Sequence, residues 1–130
     1  MAVEQPSFCI TLEAAEDLSA KQYYFMKLDS NGRATTCTGA TDVPVGVLQN
    51  KPNALGKAAE ILVYGMTKVS SDAALTIGDL IGTSADGQAD AKTPGIDTTE
   101  YVTGQVLIAS TAAAGLATAL VNCANPHRAR

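Results

Sequence analysis

The sequence predicts an all-β domain: a small antiparallel β-barrel or β-sandwich with at most one short helix. Three observations lead there. Short runs of β-forming residues recur about every ten residues. Turn-forming clusters of Gly, Pro, Asn and Asp separate them. No long stretch repeats its apolar residues with the 3.6-residue period of a helix.

The first run holds Phe8, Ile10 and Leu12, alternating with Cys9 and Thr11, which puts three apolar side chains on one face. Residues 13–20, with Glu13, Glu16 and Asp17, form a helical turn or a loop. Residues 23–28 read as an aromatic-rich strand, and residues 33–38 return beside it. The turn between them is Asp29-Ser30-Asn31-Gly32, because Asn-Gly accepts positive φ at low cost. Residues 45–49 form the next strand, entered through Pro44, and residues 50–57 a loop. Residues 59–66 form an apolar strand, with Ile61, Val63 and Gly65 on one face and Leu62, Tyr64 and Met66 on the other. Apolar residues on both faces imply burial on both sides, or one face kept for a neighbouring subunit. Residues 68–70 continue this strand beyond a bulge at Gly65. Residues 77–82 make a turn and strand, residues 84–88 a turn, and a short strand runs on through Lys92. Residues 93–99 loop, residues 101–109 form a strand, residues 110–115 a turn or short helix, and residues 116–122 the last strand. The organisation expected is an N-terminal arm at 1–7, one β domain at 8–123 and a C-terminal tail at 124–130.

A chain of 130 residues suits a single domain. Its apolar content is 46%, but much of that is Ala, with no Trp, four Tyr and two Phe, so the core is thin. Contacts between chains are expected to add burial. The net charge of −4 argues against nucleic acid, whose binding rests on Lys and Arg neutralising phosphates. Cys9, Cys37 and Cys123 lie far apart and give neither a disulfide framework nor zinc-ligand spacing. The start, Met1 to Pro6, shows no basic stretch leading into an apolar one, so no signal peptide is expected. Residues 102–126 carry no formal charge, but Thr103, Gln105, Asn122 and Asn125, with Gly104 and Gly115, make the segment too polar and interrupted for a membrane helix.

The search for chemistry gives no constellation. His127 is the only histidine and falls in the tail, without the base and orienting group that a triad requires. Glu13, Glu16 and Asp17 read as a solvated acidic face, with a weak cation site the residual reading. Gly56-Lys57 lacks the flanking glycine and hydroxyl of a phosphate loop. Met26-Lys27 resembles the modified-lysine hairpin of biotin-carrier domains. Phe25, however, replaces the usual Ala, and the following turn puts Lys27 on a strand. No cofactor, metal or small-molecule substrate is expected, and no enzyme.

The order of signals resembles the capsid decoration (cement, or head auxiliary) proteins of tailed bacteriophages. The pieces that carry it are Val45-Gly46-Val47-Leu48, then Ala59 through Gly65, then Leu75-Thr76-Ile77-Gly78-Asp79-Leu80-Ile81. Asp86-Gly87-Gln88-Ala89, Val102-Thr103-Gly104-Gln105-Val106-Leu107 and Ala119-Leu120-Val121 complete it. The resemblance implies a structural virion protein, made in the host cytoplasm, that binds the outside of the assembled capsid as a homotrimer. It would bridge major capsid protein subunits and stabilise the shell. It brings no catalytic residue. Met1, Ala2, Val3, Glu4, Gln5, Pro6 and Ser7 are the expected interface arm, since they lack internal pattern and Pro6 stands just ahead of the first strand. The alternatives are a head–tail or tail structural protein and a small β-type module that binds sugar or peptide.

Overall fold

In the computed structural model, which describes residues 8–130, the chain is all β, with eleven strands and no helix among those residues. β1 (Phe8–Glu13), β2 (Phe25–Leu28), β3 (Ala34–Thr36) and β4 (Gly46–Leu48) lead into the long β5 (Ala58–Ser70). β6 (Leu80–Thr83), β7 (Ala89–Ala91), β8 (Tyr101–Val102), β9 (Gly104–Ile108), β10 (Leu116–Asn122) and β11 (His127–Arg128) follow. Nine strands form one curled, half-barrel sheet in the order β3-β2-β4-β5-β10-β9-β6-β7, with β1 added beside β5. All strand pairs are antiparallel. The expected arm, residues 1–7, lies outside the described residues.

β5 is the spine. β1 pairs along its first half and β10 along its second, both meeting it at Tyr64. The register slips between Phe8 and Cys9, which pair with Tyr64 and Leu62, so Val63 is the extra residue of a bulge. The bulge was expected at Gly65. There the ladder to β10 is regular, and the φ of 145° at Gly65 is accommodated without loss of pairing. Moving the bulge to Val63 changes which side chains share a face. Ala59, Ile61, Tyr64, Met66 and Lys68 fall on one side of the sheet, Leu62, Thr67 and Val69 on the other.

Two cores result. The inner one fills the curl of the sheet with Phe25, Val47, Leu62, Val69, Ile81, Val106 and Val121, completed by alanines and by Cys37 and Cys123. The outer one is smaller. Met26, Leu48, Ala59 and Ile61 pack under Ala14 and Leu18, with Ile10, Leu12 and Tyr24 at its margin. The segment between β1 and β2, a loop and not a helical turn, is therefore a cover for half of the outer face. At the far end of the curl, the Phe25 N–H donates to the Gly87 carbonyl (2.8 Å) and draws the β6–β7 turn against β2. Gly82 is needed for close approach, since a Cβ there would fall on the carbonyl oxygen of Tyr101.

Several boundaries differ from expectation for local reasons. β2 begins at Phe25 because Tyr23 has φ +69°, which interrupts the strand. Only Gly32 of the Asn-Gly pair takes positive φ; Gly32 N–H donates to Asp29 O (3.1 Å), and Asp29 Oδ1 accepts from the N–H groups of Asn31 and Arg33. The hairpin thus closes with a three-residue loop and its glycine bulge. The expected strand at 101–109 is split at Thr103, whose N–H donates to Ile81 and whose carbonyl accepts from Asn122. Within the expected tail, β11 pairs with β8 in a second, two-stranded sheet, and Ala129 is buried. Residues 102–126 form β8 to β10 and the turns after them, and no helix among the described residues is long and apolar enough to cross a membrane.

Candidate interaction surface

The carboxylates that the sequence singles out are each engaged by a different partner. Glu13 pairs with Arg33 (3.2 Å), Glu16 accepts from the Thr35 hydroxyl (3.0 Å), and Asp17 accepts from Ser19 (2.7 Å). The Ser19 hydroxyl and N–H together hold the Asp17 carboxyl below its usual range. The described residues contain no group of three or more His, Cys, Asp or Glu arranged to hold a metal ion. His127 sits exposed on β11 opposite Val102. Lys27 is on β2, half-buried, with its ammonium on Asp42 (3.0 Å) and Thr38 (2.9 Å). Burial would raise the Asp42 pKa. Hydrogen bonds from Lys27 and from the N–H groups of Thr38 and Gly39, together with the Lys27 charge, outweigh it and bring the pKa below the usual carboxylate value.

The two buried thiols are inert groups. Burial pushes Cys37 and Cys123 each up to about 12, only partly offset by the hydroxyls of Thr83 and Thr103 respectively. Cys9 is exposed on β1.

One buried charge escaped sequence reading. The Lys92 ammonium is fully buried and donates to the Thr83 carbonyl (2.9 Å), to Glu100, and more distantly to Asp90 (3.4 Å). Three donors meet three acceptors, so the group is satisfied as a structural tie between β6, β7 and the segment before β8. The signal in the sequence was faint: a lysine two residues after Asp90 in an alternating strand, with Glu100 a loop away.

Concavities lie elsewhere among the described residues. A cleft of about 460 Å³ opens between the β1–β2 cover and the β6–β7 turn, lined by Glu16, Asp17, Lys21, Tyr24, Asp86 and Gln88 among others. A shallower groove of about 240 Å³, mostly apolar, runs past Leu80, Val102, Gln105, Leu120 and His127.

One sheet face is left bare by the described residues. Beyond the outer core, the same side of the sheet continues over the second half of β5, β10 and β9. There Tyr64 is 47% exposed, Met66 36%, Leu120 43% and Ile108 62%. Met66, Leu120 and Gln105 stand in one cross-strand row, Lys68, Thr118 and Ile108 in the next. Phe8, opposite Tyr64, and Leu116 extend the patch to either side. The shallow groove joins it at Leu120 and Gln105. Such a surface can bury apolar area against a protein partner.

No protein-family model and no curated protein matches the chain. Among solved structures, the fold is similar to the crystal structure of the head fiber gp8.5 N base of bacteriophage phi29, with a TM-score of 0.62 at 16% identity. The match covers 91% of this chain and 96% of that one, so the two share a fold over nearly their whole lengths.

Proposed function

We propose that this protein is a non-enzymatic structural component of a phage head. In this reading it binds the outer surface of the assembled capsid and bridges major capsid protein subunits as a homotrimer. The observation that carries the reading is the fold shared, nearly end to end, with the phi29 head fiber base. Two features support it. The order of strand and turn motifs resembles capsid decoration proteins, and a bare apolar face is left on a domain whose own core is small. The physical effect is linkage. A protein that binds only the assembled shell stabilises it by its binding free energy, and many symmetry-related copies each contribute.

The test is binding of purified protein to expanded, empty heads of the phage that encodes it. The expected result is saturable occupancy at symmetry-related sites on the exterior, with a higher temperature for head disruption. Heads that neither retain the protein through sedimentation nor gain thermal stability would refute the proposal.

A further inference from the structure

We propose that the bare outer face of β5, β10 and β9 is where copies of this chain meet one another. The inference rests on the functional reading above and names the contact within it. The face is built from Tyr64, Met66, Leu116, Leu120 and Ile108, with Phe8 beside Tyr64. At roughly half exposure each, these six side chains show on the order of 500 Å² of apolar area, with 150–250 Å² for each of the two aromatics when fully covered and somewhat less for the aliphatic ones. That is at the upper end of what a monomer leaves open. With its polar rim it approaches the roughly 800 Å² per partner of a stable interface.

Charge leaves this face open to a second copy of an otherwise acidic chain. The chain carries 13 acidic against nine basic residues, so every copy brings a net charge of −4 that opposes self-association wherever carboxylates meet. The outward positions of these three strands hold one charge, Lys68, and no carboxylate. The Lys68 ammonium stands over the Tyr23 ring, 5.9 Å from its centre. The polar groups on the face are Gln105, Thr118 and Asn122, and each offers both a donor and an acceptor. Lys68 apart, identical faces can therefore meet without opposing like charges. Around a three-fold axis, each copy's face would contact its two neighbours.

The experiment measures mass in solution by light scattering and sedimentation for wild type, for M66D/L120D and for I108K. All three substitutions replace exposed side chains, and circular dichroism and melting temperature check that the variants fold. Wild type is expected at three times the 13.3 kDa chain mass, and the folded variants at one chain mass, with association weakened at least a hundredfold. Wild type found as a monomer, or folded variants that keep its mass, would overturn the proposal. So would a monomer that associates only when residues 1–7 are removed, because the chain itself would then cover the face. A wild-type dimer dissolved by the same variants would uphold the face and overturn the trimer. Head binding is scored separately: monomeric variants that still occupy heads leave the functional reading intact, whereas a wild-type trimer that ignores heads refutes that reading alone.

Discussion

The two halves of β5 present the same side of the sheet to opposite fates. In the first half, Ala59 and Ile61 are fully buried, because the loop after β1 lays Ala14 and Leu18 over them. In the second half, Tyr64 and Met66 point the same way and remain open. Strand, face and residue class are alike; only the cover differs. Apolarity on a strand therefore says that a face will be buried, without saying by what. Here one half is buried by the chain itself, and we read the other as buried by assembly.

Substitutions along β5 sharpen that contrast. Ile61→Ala is expected to have the largest effect, a loss of about 2–5 kcal/mol in a urea or thermal melt, because it opens a cavity beneath Leu18. Leu18→Ala is expected to follow at about 2–4 kcal/mol, since it removes the cover itself. Met66→Ser, on the open half, is expected to change the stability of the dissociated chain by no more than about 0.5 kcal/mol. A loss at Met66 comparable to that at Ile61 would mean that the second half is covered within the single chain.

pH provides a second comparison, between the inner core and the rim. Cys37 and Cys123 hold folded pKa values of about 12, above the roughly 8.5 of an unfolded thiol. Their contribution is complete below about pH 8.5 and is lost as pH rises toward 12, since the unfolded chain ionises first. The double variant C37A/C123A is expected to flatten stability between pH 9 and 11. At the rim the sign reverses. The Asp42 pKa is depressed, so its contribution is present above about pH 4 and disappears on acidification. Lys27→Met is expected to weaken that acid dependence, read as a smaller drop in melting temperature between pH 5 and 3. Thiol labelling of native protein gives the smallest signal: Cys9 should react promptly, and Cys37 and Cys123 only on unfolding.

Much of the fold was legible in the chain. The Asp29–Gly32 turn, the β5 run and the spacing of the later strands are local signals, and they predict the all-β class correctly. The features that were not legible are those set by distant partners. Val63 bulges because β1 pairs across it, and no residue there marks the slip. β11 exists because Tyr101 and Val102 wait for it, and Lys92 is tolerated in the interior because Thr83, Asp90 and Glu100 converge on it. Tyr23 takes a left-handed backbone that nothing in its neighbours demands; its N–H is engaged by Leu48 and its carbonyl by Ser70. The expected interface at residues 1–7 falls outside the described residues. The bare face was anticipated only as one of two options, because periodicity cannot tell an internal cover from an external one.

The most direct test is hydroxyl-radical footprinting of the two methionines on this side of the sheet, Met26 under the cover and Met66 on the open half. In assembled wild type, Met66 is predicted to oxidise as slowly as Met26, and in the folded Leu120→Asp variant many times faster. Equal, rapid oxidation of Met66 in both would contradict the claim that assembly completes the burial of β5.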